Sequence, residues 1–102
     1  MFRSASFGDF AGVFEYDGET GYLYLFDNGR AADRRIVGAI HIFSGTPDFE
    51  ESEIEVRWNH EGLRVGLFIR GRLWAEFDAV RGVGFGGDYK PGGTPKLFGW
   101  GA

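Results

Sequence analysis

His41 lies between Ile40 and Ile42, in the most apolar stretch of the chain. An imidazole there can serve as a general base or a ligand, because burial moves its pKa readily. The competing reading is a half-buried histidine bonded to a neighbour, since no partner triad is legible around it. His60, within Asn59-His60-Glu61-Gly62, reads as a solvated turn residue. Asp48, Glu50, Glu51, Glu53 and Glu55 put five carboxylates in eight residues. Hard cations draw oxygen ligands from such segments, yet the spacing is not that of a calcium loop and no glycine turns its centre. On a strand Glu51, Glu53 and Glu55 would point the same way. The segment therefore reads as a solvated face guarding a sheet edge, with a basic partner as the functional alternative. Glu15, Asp17 and Glu19 adjoin Tyr22 and Tyr24. Paired carboxylates can divide acid and base roles at suitable separations, but turn-forming Asp with exposed Glu explains this group equally. No catalytic or metal-ligating set is assigned.

Tyr16, Tyr22, Tyr24, Trp58, Trp74 and Trp100 are suited to an aromatic platform for a sugar, a base or a peptide. They are also what a core of short strands, or a protein interface, would use. Tyr22, Tyr24, His41, Trp58 and Trp74 are accordingly the candidate binding residues. Gly82-Val83-Gly84-Phe85-Gly86-Gly87 contains a Gly-x-Gly, but a nucleotide fingerprint needs a helix after it. None is expected here, and no cofactor is assigned.

The elements that must position these residues are short strands. Alternation places strands at 11–16, 22–27, 36–43, 54–58, 63–69 and 72–79. Aromatics suit a pleated, half-buried surface and glycines turn the chain between strands. Residues 1–10 lack periodicity. Asp17-Gly18-Glu19-Thr20-Gly21 closes a first hairpin, with Tyr22, Tyr24 and Phe26 on one face and Leu23 and Leu25 on the other. The strand at 36–43 is apolar on both faces, which suggests a central position. A four-residue loop at 59–62 pairs Trp58 with Leu63 and Val56 with Val65, keeping apolar residues in register. Arg70-Gly71 reads as a two-residue turn that pairs Phe68 with Leu73 and Leu67 with Trp74. From residue 81 on, glycines interrupt Phe85, Tyr89, Phe98 and Trp100. Flexible tails usually lack large aromatics, so these four are expected to cover the sheet or a second subunit.

The bulk properties exclude several classes. A chain of 102 residues reads as one domain, 1–102, with a glycine- and aromatic-rich C-terminal segment at 81–102. It has no cysteine, which removes disulfides, thiolate metal sites and cysteine nucleophiles. The N-terminal residues show no apolar signal-peptide core. No apolar run approaches the roughly 20 residues of a membrane helix. A cytoplasmic protein that does not bind membranes is the expectation. The formal net charge is −4, and the eleven basic residues are scattered apart from Arg30, Arg34 and Arg35. Nucleic-acid binding, which requires a basic stripe, is not expected.

Val13-Phe14-Glu15-Tyr16-Asp17-Gly18-Glu19-Thr20-Gly21-Tyr22-Leu23-Tyr24, Ile40-His41-Ile42 and Ile69-Arg70-Gly71-Arg72 together resemble a family of short uncharacterised bacterial proteins. That family carries an acidic Asp-Gly-Glu-Thr-Gly-Tyr hairpin and an Ile-His strand, and the resemblance covers residues 13–79. Its short turn is Asn-Gly; Arg70-Gly71 departs from it while keeping the glycine. The resemblance implies a bacterial source and singles out residues 17–24 and His41. It implies no activity. The sequence thus leads to an all-β fold: a single antiparallel meander of about six strands, curled toward a barrel or sandwich. The expected function is non-catalytic binding of a protein partner or of a second copy as a homodimer. A small-ligand-binding β domain, or an enzyme using His41 with a carboxylate, are the alternatives.

Overall fold

In a computed structural model, which describes residues 1–59, 61, 63–97 and 100, eight strands form two four-stranded antiparallel sheets. The first contains β1 (Phe2–Phe7), β2 (Phe10–Tyr16), β3 (Thr20–Asp27) and β4 (Ile36–Ser44) in that spatial order. The second contains β5 (Ile54–Asn59), β6 (Arg64–Ile69), β7 (Arg72–Asp78) and β8 (Val83–Gly86). The expected all-β, antiparallel character holds. The expected single meander of about six strands does not, and the sheets do not close into a barrel. The break falls at residues 45–53, where Gly45 takes φ 90°, Pro47 follows, and Glu51–Glu53 forms a 3-10 turn. A chain redirected there cannot add β5 beside β4. Each sheet is a meander of its own, with Phe14, Leu23, Leu25 and Ile42 of the first facing Val65, Leu67, Ile69 and Phe77 of the second in one core.

The two strands that alternation misses are both sheet edges. β1 is solvent-facing along most of its length, so it needs no apolar alternation. Its start is held from outside by Glu51, which accepts from the Phe2 N–H at 2.7 Å, while the Glu51 carbonyl accepts from Arg3 Nε at 3.2 Å. β8 is exposed at all four residues. Its Gly84 is there for space: a Cβ would lie 2.8 Å from Cε1 of Phe77 and 3.0 Å from Cδ1 of Ile40.

Strand β4 is an edge strand, not the central strand its composition suggests. Its apolar residues are explained by what covers that edge. The chain after β8 runs along it, with the Asp88 N–H donating to the His41 carbonyl at 3.1 Å and the Tyr89 N–H to the Ile42 carbonyl at 2.6 Å. In the second sheet Trp58 opposes Val65 and Val56 opposes Leu67. This is a slip of two residues from the expected pairing, so every side chain keeps its face. The connection after Asn59 therefore includes Leu63, at φ 47°. His60, expected there as a solvated residue, lies outside the described residues. Arg70 (φ 52°) and Gly71 (φ 77°) make the expected two-residue turn. Phe68 opposes Leu73 as expected, but Leu67 opposes Ala75 rather than Trp74. The bulge turns Trp74 and Ala75 both toward the core while Leu73 stays on the outer face.

The C-terminal segment packs on its own chain. Tyr89 enters the core edge-on to Trp74 (4.7 Å between ring centres) and Phe49 (5.1 Å). Trp100 lies on the outer face of the second sheet, edge-on to Phe68 at 5.3 Å, and its indole N–H donates to Glu76 Oε2 at 2.6 Å. A side chain on Gly66 would collide with that indole, 2.8 Å from Cζ2. Phe98 lies outside the described residues.

Candidate functional site

Where β4 ends, one extra residue sets up a site. Tyr22 opposes His41 and Gly21 opposes Phe43, which leaves Ile42 as the inserted residue of a bulge. In an unbulged strand His41 and Ser44, three apart, would face opposite sides. The bulge restores them to one side. Ile42 and Phe43 are both buried in consequence, and His41 and Ser44 are both outside. His41 Nε2 then lies 2.9 Å from Ser44 Oγ.

Asp88 arrives from the C-terminal segment. Its φ of 51° is left-handed, a region Asp tolerates better than most residues. Its own N–H is fixed to the His41 carbonyl, so its carboxylate is held beside the ring of the residue that anchors it. Asp88 Oδ1 lies 3.2 Å from His41 Nδ1. An ionised carboxylate only accepts hydrogen bonds. It therefore selects the tautomer in which Nδ1–H donates to Asp88 and Nε2 accepts from the Ser44 hydroxyl. The result is a directed chain, Ser44 to His41 to Asp88. It is open to water, with the His41 side chain 40% and the Asp88 side chain 81% exposed.

This chain of hydrogen bonds borders a cleft of about 380 Å³. Phe43 and Tyr89 give it apolar surface, Pro47 and Pro91 flank it, and Lys90 supplies a cation. The wall behind Tyr89 is braced. The Tyr89 hydroxyl donates to Asp48 Oδ1 at 2.6 Å. Arg70 donates to the Asp48 carbonyl at 2.5 Å, to Asp48 Oδ2 at 3.4 Å and to Glu53 Oε2 at 2.8 Å. Burial, reinforced by the bond to the Asp48 carboxylate, pushes the Tyr89 hydroxyl up to about 12. The Arg70 hydrogen bond holds the Glu53 carboxyl below the ordinary glutamate value.

The acidic stretch thus has structural work. Glu51, Glu53 and Glu55 do not line one strand face, because Glu51–Glu53 is a 3-10 turn with a reciprocal cap between Glu50 and Glu53. The first hairpin's Asp17 accepts from the Glu19 and Thr20 N–H groups, both at 2.8 Å, which lowers its pKa and closes the turn. Glu15 opposes Tyr22 on the outer face of the first sheet. Burial first, and then the Glu15 charge, raises the Tyr24 pKa.

The residues singled out from sequence scatter. Tyr22 and Tyr24 do come together with His41. Tyr22 meets the imidazole edge-on at 5.5 Å and stacks on Tyr24 at 5.8 Å, and Tyr24 continues to Phe26 at 6.4 Å. This aromatic row runs along the outer face and stops at the cleft. Trp58 is elsewhere, with its indole N–H donated to the Ala5 carbonyl at 2.9 Å. Trp74 is in the core. Phe85 is 41% exposed on β8, while Tyr89 and Trp100 are engaged by their own chain. Sequence reasoning missed Ser44, Asp88 and Lys90, and it held Asp48 only as one carboxylate of the acidic stretch. Only the run of turn formers after β4 could have drawn attention to Ser44. Asp88, 47 residues from His41, carries no local signal.

A family described as uncharacterised proteins conserved in bacteria (DUF2251) matches residues 2–97, which include every residue of the cleft. The chain belongs to that family. An uncharacterised protein of Haemophilus influenzae is 36% identical over 92 residues, covering 87% of this chain and 56% of the relative. The chain therefore spans little more than half of that relative's length. No solved structure matches it. Neither the family description nor the relative's name carries an activity, so function must be argued from the cleft.

Proposed function

We propose that this domain binds a small polar ligand in the cleft between the end of β4 and residues 88–91. The observation that carries the reading is the convergence of Ser44, His41 and Asp88, brought from two distant segments, on a cleft with apolar walls and one cation. A few placed polar groups in a mostly apolar concavity are the common form of a small-molecule site. Tyr89 and Trp100 already have partners within the chain, so the cleft, rather than the C-terminal aromatics, is the ground for assigning a partner. The test is an NMR fragment screen on the full chain, observing the His41 ring protons. Binders that move those signals, and that lose at least tenfold in affinity in Ser44→Val, are expected. A screen in which no compound moves the His41 signals would defeat the reading.

One observation favours a second reading, acyl transfer. The order Ser44 hydroxyl, His41 Nε2, His41 Nδ1, Asp88 is the order a nucleophile, its base and an orienting carboxylate require. Ser44 Oγ would attack an ester carbonyl as its proton passes to His41 Nε2, and the imidazolium would return that proton to the leaving alkoxide. Water would then release the acyl group by the same path. Hydrolysis of p-nitrophenyl acetate should fall to the buffer rate in both Ser44→Ala and His41→Gln. Equal rates in wild type and variants would remove this reading and leave the binding one standing.

A further inference from the structure

The chain has two lysines, and both line one cleft. Lys90 and Lys96 border a space of about 440 Å³ that Trp74, Gly87 and Thr94 also line; Asp88 and Lys90 border the His41 cleft as well, while His41 and Ser44 line only that one. Arg72 borders the adjoining surface, and its guanidinium makes a long hydrogen bond, 3.5 Å, to the Gly93 carbonyl. None of these three cations meets a carboxylate among the described residues, although the chain as a whole carries a net charge of −4. Five of its nine arginines, by contrast, pair with Asp or Glu: Arg30, Arg57, Arg64, Arg70 and Arg81. The one carboxylate at the cleft, Asp88, is turned to His41. Trp74, which also lines the cleft, is 5% exposed; its indole N–H reaches solvent and donates to no acceptor among the described residues. An N–H that reaches water and has no acceptor within the chain is free to donate to a ligand oxygen.

We infer that this second cleft binds a phosphate monoester, its dianion held by Lys90 and Lys96 with the Trp74 indole N–H as a neutral donor. Two lysines match the two negative charges of the phosphate, and charge-assisted bonds of this kind are the strong ones at a surface. This is not a nucleotide loop after a strand, which needs a helix behind it. It is a charge and donor match within an irregular segment.

Inorganic phosphate titrated into the uniformly ¹⁵N-labelled full chain, followed by ¹H–¹⁵N correlation spectra at constant ionic strength, tests the inference. Saturable shifts are expected at the Trp74 indole N–H and the Gly87, Thr94 and Lys96 amides, with acetate producing weaker ones. Lys96→Gln should weaken phosphate roughly five- to tenfold, while Ser44→Val, in the other cleft, should leave it unchanged. Glycerol 3-phosphate should bind at least as tightly as phosphate if the esterified form is the ligand. Shifts that do not saturate, that spread over all basic residues, or that survive Lys96→Gln would overturn the inference, whatever the His41 cleft does.

Discussion

Replacing Tyr89 by Phe isolates one bond that braces the His41 cleft. The ring stays, so its edge contacts with Trp74 and Phe49 are kept. What is lost is the 2.6 Å bond from the hydroxyl to Asp48 Oδ1. A hydrogen bond to a charged acceptor contributes about 1.5–3 kcal/mol net. Here Asp48 still has Arg70 and the pair is reached by solvent, which brings the loss to the bottom of that range or just below it, about 1–1.5 kcal/mol. A chain of this size unfolds with an entropy of about 0.2 kcal/mol per kelvin at its midpoint, so Tm should fall by about 5–7 °C. Urea unfolding should show a shifted midpoint with an unchanged slope. A double-mutant cycle with Asp48→Asn should give a coupling of about 1 kcal/mol. The reasoning is refuted if Tyr89→Phe leaves stability within about 0.3 kcal/mol of wild type, or if the two substitutions simply add.

The same hydroxyl can be watched directly. Its raised pKa stabilises the fold below the ordinary tyrosine value of 10, and that contribution is lost as pH climbs toward 12, so absorbance at 295 nm should show one tyrosine ionising near 12 that is missing in Tyr89→Phe. Glu53 has the opposite sign: its depressed pKa adds stability above the unfolded value of 4.5, lost as pH falls through the lower folded value. Acidification from pH 5 should therefore lower Tm less steeply in Glu53→Gln, and parallel acid limbs would count against the Arg70 contact. Gly84→Ala places a methyl group 2.8 Å from a Phe77 that is 2% exposed. Overpacking of about 1–3 kcal/mol should speed amide exchange at 83–86 specifically, and unchanged protection there would show that β8 has room to shift.

Two of the strands legible from sequence bury one face and leave the other more open. Leu23 and Leu25 against Tyr22, Tyr24 and Phe26 show this in β3, and Ile54, Val56 and Trp58 in β5. By contrast β6 and β7, also legible, are buried on both faces and show as runs of apolar residues. The Arg70-Gly71 turn was legible because a two-residue connection leaves few backbone solutions. β1 and β8 were not, since an edge exposed on both faces imposes no alternation. β4 reads as central from its composition, but it is an edge strand whose open edge is covered by residues 88–89, which are neither a strand nor near it in sequence. His41 was found by its setting, but its partners were not. Ser44 shares its face only through the bulge, and Asp88 reaches it by a tertiary path.

The bulge at Ile42 makes the cleft a matter of parity. A chain that keeps two residues between the histidine and the serine but lacks the bulge would send the serine to the core side, and the imidazole would lose its partner, with the ladder on either side intact. A chain with a single residue between them would need no bulge, because residues two apart already share a face. Among homologous chains, the spacing of these two residues, taken together with the bulge, is therefore a marker. It separates chains able to assemble the hydroxyl, imidazole and carboxylate in line from chains that share only the two sheets.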